Sequence, residues 1–373
     1  MDDDRKLAHV ELINDIQPIE GSDFLEVCSC LGWNVVVKKD EFKIGDKVLY
    51  IEVDSVLPPT EEFEFMAKYK YRVKTIKLRG QVSQGLVVPL VGPMVNNKIG
   101  SDMTNIYGIK KYLNSTERAE IEEERLKIAL EKSRFIKFMY HYKWYRNLFI
   151  GKKTSVYPYW VSKTDEPRIQ NMPKVLEQFK DSVVYVTEKV DYQSATFTGK
   201  MIPSQIPIIG KLFKKKFKFV VCSRNLITND KSSLYWRIAN KYHLEEILKN
   251  NPNLTIQGEQ GNTNIQGNKY GINEPELWVF NIIDHTRNYH YDYEEMCDFC
   301  NKYGLSCVPL IGYFKVSGVG STVDDWVKFS EGKSIINTKI HREGVVVRSI
   351  TNGVKELSFK VINPKFLLKY DGE

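Results

Sequence analysis

The sequence predicts an α+β protein in which a small N-terminal β-barrel and a larger, mainly antiparallel C-terminal domain are joined by a helical connector. Short strand-like segments separated by turns fill residues 8 to about 105, and a helical pattern covers 114–149. Beyond it, strand and helix patterns alternate without the strand–helix–strand rhythm of a parallel sheet. A chain of 373 residues is long enough for two or three such domains. The predicted domains are residues 1–110, 111–154 and 155–373.

The N-terminal segments have the lengths and spacing of a small closed barrel. The candidate strands are HVELINDIQPI, FLEVCSC, WNVVVKK, KVLYIEV, YRVKTIKL and GLVVPL, and turn sequences such as EGSD and FKIGD separate them. One helix-like segment, EEFEFMAKY, interrupts the series. Five or six short strands with one short helix indicate an OB-like barrel, with an SH3-like barrel as the alternative.

The connector changes character along its length. Ser115 is a candidate N-cap, and glutamates occupy the first turn. The second half is basic and aromatic, with Arg134, Lys137, Tyr140, Tyr142, Lys143, Trp144, Tyr145 and Arg146. Interleaved cations and rings suit the backbone and bases of a nucleic acid. Packing of the rings between the domains, with the cations in solvent, is the alternative, and the sequence does not choose between them.

The C-terminal region contains seven strand candidates and four helix candidates. The strands are 182–189, 193–198, 217–222, 254–260, 276–284, 343–349 and 355–361, and the helices are 171–180, 232–250, 292–303 and 323–331. A basic hairpin candidate, GKLFKKKFKF at 210–219, would either hold phosphates or protect a solvated strand edge.

Charge and composition exclude some classes of protein. The net charge of +7 permits a polyanionic partner without requiring one. No apolar run reaches the roughly 18 residues of a membrane span, and MDDDRK lacks the apolar centre of a secretory signal. Cys297, Cys300 and Cys307 lack the second pair of a structural zinc site, so we expect reduced thiols and an intracellular location in cytoplasm or nucleus. No P-loop, GxSxG frame or histidine metal spacing is found.

Ionisable residues recur inside strand-like segments, where unpaired charge is costly. The first case is VYVTEKVDYQSATF (Val184–Phe197), which contains Glu188, Lys189 and Asp191. The later cases are SRN with Arg224, QGEQGN with Glu259, LWVFNIID with Trp278 and Phe280, REGVVVR with Glu343, and LSFKVIN with Lys360. This recurrence predicts strand faces that converge on one polar cavity.

Such a cavity has the residue types for nucleotide transfer. A lysine amine attacks phosphorus only when neutral, so its pKa must fall from about 10.4 toward neutrality. A second lysine and a divalent metal would supply the positive potential and neutralise phosphate oxygens. Carboxylates would hold magnesium largely through its water molecules, and an aromatic ring would stack on a base.

The ordered segments EKVD, SRN, GE, WVFN, EGVV and FKVI resemble motifs I, Ia, III, IIIa, IV and V of the covalent nucleotidyltransferases. That superfamily comprises ATP-dependent DNA ligases, RNA ligases and mRNA capping enzymes. The SRN motif, the OB-like module and YPYWVSKTDEPRIQN (157–171) resemble the Naegleria-type RNA ligases. The resemblance implies an RNA-repair enzyme that uses ATP and Mg²⁺ or Mn²⁺ to seal RNA 3′-OH and 5′-phosphate ends. It implies no membrane and no obligate protein partner.

The resemblance also implies which residues carry the chemistry. Lys189 would form lysyl-AMP, from which AMP passes to the RNA 5′ end. Lys360 would contact the α-phosphate and lower the pKa of Lys189. Asp191 and Glu343 would engage the metal through water.

Five further residues would bind the nucleotide in this reading. The chain around Glu188 would read the adenine, and Phe280 would stack on it, with Trp278 as second choice. Arg224 and Glu259 would hold the ribose and orient the phosphate, and Glu343 would serve the nucleotide as well as the metal.

The KTDEPR stretch and the end of the chain bear on the leaving group. Lys163 and Arg168 would contact the pyrophosphate or the RNA end, or else belong to an ordinary capped loop in which Asp165 starts a helix. Only residues 361–373 follow Lys360, too few for the C-terminal OB domain that orients pyrophosphate in DNA ligases and capping enzymes. We therefore expect this function from Lys163, Arg168 or the N-terminal barrel.

One position departs from the family pattern. Motif I usually reads KxDG, but Tyr192 stands where glycine is usual. Glycine permits backbone turns that tyrosine tolerates poorly, so we expect an altered turn or an altered donor site. The alternatives to an RNA ligase are a non-catalytic RNA-binding protein with a decayed nucleotide pocket, a DNA nick ligase and a capping-type nucleotidyltransferase.

Overall fold

The computed structural model describes residues 6–112, 157–202, 216–263 and 266–370. The predicted connector helix over 114–149 lies outside these ranges, as does most of the basic hairpin at 210–219. Within them, no helix is both long and apolar enough to cross a bilayer.

The N-terminal domain is a curled antiparallel barrel, as the sequence predicts. Its strands are β1 (Ala8–Pro18), β2 (Leu25–Cys30), β3 (Trp33–Lys38), β4 (Lys47–Ile51), β5 (Ser55–Val56), β6 (Thr75–Leu78), β7 (Gln81–Gln84), β8 (Leu86–Pro89) and β9 (Lys110–Lys111). The main sheet has the order β3-β2-β1-β4-β8, and β5–β9 and β6–β7 form two small sheets. β1 serves two partners because a register shift after Ile13 lets one end pair with β4 and the other with β2. Thus one long, bent strand closes the sheet on itself.

The helix-like segment of this domain is a 3₁₀ helix, Glu61–Tyr69. It places Phe63 and Met66 in a core shared with Leu49 and Ile51. A second 3₁₀ helix covers Gly92–Asn96.

The C-terminal domain is α+β, with two mainly antiparallel sheets. Its strands are β10 (Val183–Lys189), β11 (Gln193–Ile202), β12 (Lys216–Cys222), β13 (Leu254–Gly261), β14 (Glu276–Asp284), β15 (Tyr289–His290), β16 (Ser306–Cys307), β17 (Leu310–Lys315), β18 (Gly344–Thr351) and β19 (Val354–Ile362). One sheet has the order β17-β10-β18-β19 and the other β12-β11-β13-β14-β15, with β16 parallel to β14. The two sheets provide the walls of the cavity described below.

Helices cover the outer parts of this domain. They are α1 (Val175–Gln178), α2 (Leu234–Lys241), α3 (Leu244–Asn250), α4 (Tyr293–Tyr303), α5 (Val316–Val319), α6 (Val323–Ser330) and α7 (Pro364–Tyr370), with 3₁₀ turns at Ile169–Asn171 and Gln266–Asn268. The single helix predicted over 232–250 is two helices, because His243 takes a left-handed backbone with φ of 51°. The helix predicted over 171–180 is reduced to the single turn of α1.

The six cysteines are free thiols. Cys300 is buried on α4, while the Sγ atoms of Cys297 and Cys307 lie 2.9 Å apart between α4 and β16.

The described residues of the two domains contact each other at several places, two of which lie near the strand that carries Lys360. Val82 of β7 packs with Ile362 of β19 and Leu367 of α7. The guanidinium carbon of Arg168 lies 4.9 Å from the ring centroid of Trp33 on β3. These contacts hold the barrel beside the strand that carries Lys360.

Candidate active site

A cavity of about 490 Å³ collects most of the site residues predicted from the sequence. Eight of the eleven line it: Glu188, Lys189, Asp191, Arg224, Glu259, Phe280, Glu343 and Lys360. The other three, Trp278, Lys163 and Arg168, are not among the lining residues. The predicted convergence of strand faces on one polar cavity is therefore what the structure shows.

Strand register brings Lys189 and Glu343 together. Lys189 ends β10 opposite Gly344, the first residue of β18, and Glu343 directly precedes it. The Lys189 Nζ atom lies 2.7 Å from Glu343 Oε2. A Cβ atom on Gly344 would stand 2.1 Å from the carbonyl oxygen of Val361, so only glycine lets β18 and β19 approach this closely.

The pKa of Lys189 is raised, not lowered as the chemistry requires. Burial lowers the pKa, but the carboxylates of Glu343, Glu259 and Asp191 raise it by more. The expected fall is thus absent in the protein alone. If these carboxylates were neutralised, burial would dominate and would lower the pKa of Lys189.

The pKa of Lys360 shifts in the opposite direction to that of Lys189. Lys360 lies on β19 opposite Val346, and burial, followed by the positive charge of Lys189, lowers its pKa to about 8. Asp165 Oδ1 is 3.9 Å from the Lys360 Nζ atom and also forms an ion pair with Arg224. The alternative in which Asp165 starts a helix is wrong, because Asp165 lies in a non-helical segment next to these two cations and the following 3₁₀ turn begins at Ile169.

Glu259 carries a buried carboxylate oxygen that lacks a partner. The residue lies on β13, and its Oε2 atom has no hydrogen-bond partner among the described residues. Burial raises the pKa of Glu259 to about 8, against the lowering effect of Lys189. An unpartnered buried acceptor is costly, and a ligand hydroxyl or cation would satisfy it.

Glu188 and Asp191 are each tied to a neighbouring loop. Glu188 Oε2 accepts a 2.6 Å hydrogen bond from the Ile335 amide, and burial raises the pKa of Glu188. Asp191 Oδ2 lies 2.5 Å from Lys269 Nζ, and the Asp191 amide donates to the Tyr270 hydroxyl. The sequence analysis did not identify Lys269, because it lies in the loop before β14.

A β-bulge presents Phe280 to the cavity. The register of β13 and β14 shifts between Gln257 and Gly258, which leaves Phe280 without a partner on β13. Trp278 is instead buried, with its ring 5.7 Å from that of Tyr192 and nearly parallel to it. Phe280, the first choice for adenine stacking, thus lines the cavity, whereas Trp278, the second choice, is buried in the core.

The position of Tyr192 explains how the chain accommodates tyrosine in motif I. Tyr192 is buried and does not adopt a left-handed backbone, so the turn does not require glycine. Its ring occupies the space that Gly261 leaves open, because a Cβ atom there would lie 2.4 Å from the ring. The ring shapes the core behind the site, between Trp278 and Tyr270.

An ion pair that the sequence analysis did not select supports the cavity wall. Arg348 of β18 lies 2.8 Å from Glu166, donates to the carbonyl of Phe280 and is 4% exposed. Ser358 donates to the other oxygen of Glu166. In the sequence, this buried pair could have been predicted from the arginine that ends the apolar run GVVVR.

Lys163 and Arg168 lie at the margin of the site. Lys163 is exposed, although its neighbour Thr164 lines the cavity. Arg168 stacks on Trp33, pairs its backbone with Lys360 and contributes to the lowered pKa of Lys360. Their assignment to pyrophosphate or the RNA end stays a prediction.

Comparisons with known proteins agree with this geometry. Residues 182–362 match a family model described as RNA ligase, and residues 7–90 match one described as an OB-fold domain. No curated protein matches the chain.

Solved structures of Naegleria gruberi RNA ligase resemble the whole chain. They include a variant with ATP and Mn (TM-score 0.68), a variant with AMP and Mn (0.68) and the ligase with PPi (0.67). Each is 25% identical and covers 98% of this chain and 99% of its own.

The fold is that of an RNA ligase domain preceded by an OB-fold domain. Residues 182–362 match the RNA ligase family, and the architecture of the whole chain resembles that of Naegleria gruberi RNA ligase. The family and the fold predicted from the sequence are confirmed.

Proposed function

We propose that this enzyme is an ATP-dependent RNA ligase that joins 3′-OH and 5′-phosphate ends through lysyl-AMP and an adenylylated RNA 5′ end. The observation that carries the proposal is the position of Lys189, whose Nζ atom lies 2.7 Å from Glu343 in a cavity that also contains Lys360 and Glu259. The resemblance to ligase structures with ATP, AMP and PPi supports it.

The cavity offers a complementary group to each part of ATP. The Phe280 ring would stack on adenine, near the backbone of Glu188. The unpartnered Glu259 oxygen would accept a hydrogen bond from a ribose hydroxyl. Arg224, which pairs with the same Asp165 oxygen that lies near Lys360, would contact the phosphates.

The first chemical step forms a nitrogen–phosphorus bond. Neutral Lys189 attacks the α-phosphorus in line, the bond to the bridging oxygen breaks, and pyrophosphate leaves. Lys360 neutralises charge on the α-phosphate in the transition state. Repulsion between two ammonium groups is reciprocal, so Lys360 also favours loss of the Lys189 proton.

A divalent cation suits the excess of negative charge in the cavity. Asp191, Glu259 and Glu343 all raise the pKa of Lys189, while Lys189 pairs with Glu343 and Lys269 pairs with Asp191. Among the described residues no three His, Cys, Asp or Glu side chains are arranged to hold a metal directly, so Asp191 and Glu343 would bind it through water. When bound, the cation would neutralise phosphate and carboxylate charge.

The two later steps use the same cavity. The RNA 5′-phosphate attacks the phosphorus of lysyl-AMP and releases Lys189, which gives a 5′–5′ pyrophosphate linkage. The 3′-OH then attacks the 5′-phosphate and AMP leaves, so one phosphodiester forms. Each step is a displacement at phosphorus that depends on position and on charge neutralisation.

Covalent labelling followed by transfer to RNA tests this proposal. The protein is incubated with α-³²P-labelled ATP and Mg²⁺, purified and mixed with a nicked RNA duplex. We expect label on wild-type protein and on Lys189, then on the RNA 5′ end, and finally a joined strand.

Two variants make the test specific. Lys189→Met should abolish labelling, while Lys249→Met, an exposed lysine on α3, should leave it unchanged. Wild-type protein that binds ATP without labelling would favour the non-catalytic alternative. Tyr192 no longer supports that alternative, because its ring is a packing element of the core.

A further inference from the structure

The N-terminal domain contains a long stretch with cations and without carboxylates. Between Phe65 and Ser101 the sequence has no Asp or Glu. It contains seven cations: Lys68, Lys70, Arg72, Lys74, Lys77, Arg79 and Lys98. The whole chain has 54 Lys and Arg against 47 Asp and Glu, so this imbalance is local.

Five of these cations are exposed and lie within twelve consecutive residues, and we call them the basic band: Lys68, Lys70, Lys74, Lys77 and Arg79. No carboxylate in the described part of the chain forms an ion pair with any of them. Arg72 differs, because it pairs with Asp54 at 2.7 Å and packs over Tyr112. The band therefore presents unneutralised positive charge to solvent.

The band lies beside the catalytic domain. β6 and β7 form a hairpin that turns at Arg79 and Gly80. Lys77 is paired opposite Val82, which packs against Ile362 and α7 of the C-terminal domain. Ile362 is two residues beyond Lys360 on β19, so the hairpin is seated next to the strand that contributes this lysine to the cavity.

We propose that the basic band binds the phosphate backbone of the RNA substrate outside the cavity. The inference rests on the proposed function and extends it from the reacting phosphate to the flanking strand. Lysines and an arginine held close together repel one another, and a polyanion relieves this repulsion with release of counterions. RNA whose end reaches Lys360 would meet the hairpin as it leaves the site.

Salt-dependent RNA binding tests the band directly. A fluorescein-labelled RNA duplex with one nick is titrated with wild-type protein and with Lys74→Gln/Lys77→Gln, by anisotropy at several KCl concentrations. We expect about tenfold weaker binding by the double variant and a salt slope smaller by about 2, since two phosphate contacts are lost.

A matched variant removes two exposed lysines from elsewhere in the same domain. Lys39 and Lys43 flank Asp40 and Glu41, so their surroundings are not basic. Lys39→Gln/Lys43→Gln has the same net charge as the test variant, and we expect it to bind within about twofold of wild type with an unchanged salt slope.

Lysine labelling by ATP, which needs no RNA, separates the two proposals. If labelling is normal and both double variants bind RNA with equal affinity, the proposal for the basic band is wrong and the proposed function is unaffected. That result would instead favour an acidic protein as the partner of this surface. Wild-type protein that cannot be labelled would overturn the proposed function.

Discussion

Two lysines of one cavity differ in the direction of their pKa shifts because their neighbours differ. Lys189 faces three carboxylates, which raise its pKa despite burial. Lys360 is buried beside Lys189, Arg168 and Arg224, and its pKa falls to about 8 although Asp165 opposes the fall. The same fold therefore holds one lysine charged until the carboxylates are neutralised, and another that loses its charge as the pH rises through about 8.

The lowered pKa of Lys360 predicts a pH-dependent ATP affinity. As pH rises through about 8, Lys360 loses its proton and its ionic contact with phosphate. We expect the Kd of α,β-methylene-ATP, which cannot transfer AMP, to rise up to about tenfold between about pH 7 and about pH 9. Lys360→Gln should bind more weakly at pH 7 and lose the part of this dependence that Lys360 contributes.

Glu259 titrates in the same pH range as Lys360, so a Glu259 variant is the control for that measurement. The carboxyl of Glu259 also has a pKa of about 8. Glu259→Gln should therefore keep the part of the pH dependence that belongs to Lys360. The same pH dependence in Lys360→Gln as in wild type would contradict the assignment.

The positions of two aromatic residues predict opposite effects of their removal. Phe280→Ala should weaken ATP binding roughly tenfold or more, because stacking of a base on a ring contributes about 1–3 kcal/mol. Trp278→Ala should instead lower the free energy of unfolding by about 3–5 kcal/mol, because Trp278 is a core residue. Urea unfolding and ATP titration of both variants check the pair, and the reverse pattern would show that Trp278 is the stacking residue.

At the scale of elements, the turn after β10 shows how a large side chain replaces glycine without strain. Tyr192 fills space that the missing side chain of Gly261 provides, and it stacks on Trp278 of β14. The turn, β13 and β14 thus form one packing unit behind Lys189.

This packing predicts that restoring the glycine usual in the family would be destabilising. Tyr192→Gly should lower the free energy of unfolding by about 3–5 kcal/mol, since it removes a buried ring and leaves a cavity. Tyr192→Phe keeps the ring and loses only the 3.3 Å hydrogen bond to Asn268, so it should cost about 1 kcal/mol. Equal stability of Tyr192→Gly and wild type in urea would contradict this account.

The strands that hold the site were predictable because apolar residues recur along each of them, with a charged residue embedded in the strand or at its end. β10, β13, β14, β18 and β19 match their predicted ranges to within a few residues. β17 and α7 were not predicted, since LIGYFK and PKFLLKY are short and lack clear boundaries. The break between α2 and α3 was not predicted, because His243 adopts a left-handed backbone there and no glycine in the sequence indicates the break.

Within the site, sequence order identified the residue types but not their pairing. Asp165 joins Lys360 to Arg224, and Lys269 holds Asp191, through contacts that depend on loop conformation. The choice of Phe280 over Trp278 depends on a bulge that one extra residue creates. Such details arise from tertiary packing, and local pattern does not encode them.

At the scale of the whole molecule, the barrel and the catalytic domain meet beside Lys360. Trp33 packs on Arg168, whose charge contributes to the lowered pKa of Lys360, and Val82 packs on α7. The N-terminal domain therefore lies next to the side of the cavity that Lys360 forms. The predicted boundaries at residues 110 and 154 stay predictions, because the connector lies outside the described residues.

The most direct test of the central claim is to locate AMP on the protein. Purified enzyme is incubated with ATP and Mg²⁺, and its intact mass and peptides are measured by mass spectrometry. We predict a mass increase of one AMP, confined to the peptide that contains Lys189 and absent from Lys189→Met. AMP on another residue, or none on wild-type protein that binds ATP, would contradict the assignment of Lys189 as the nucleophile.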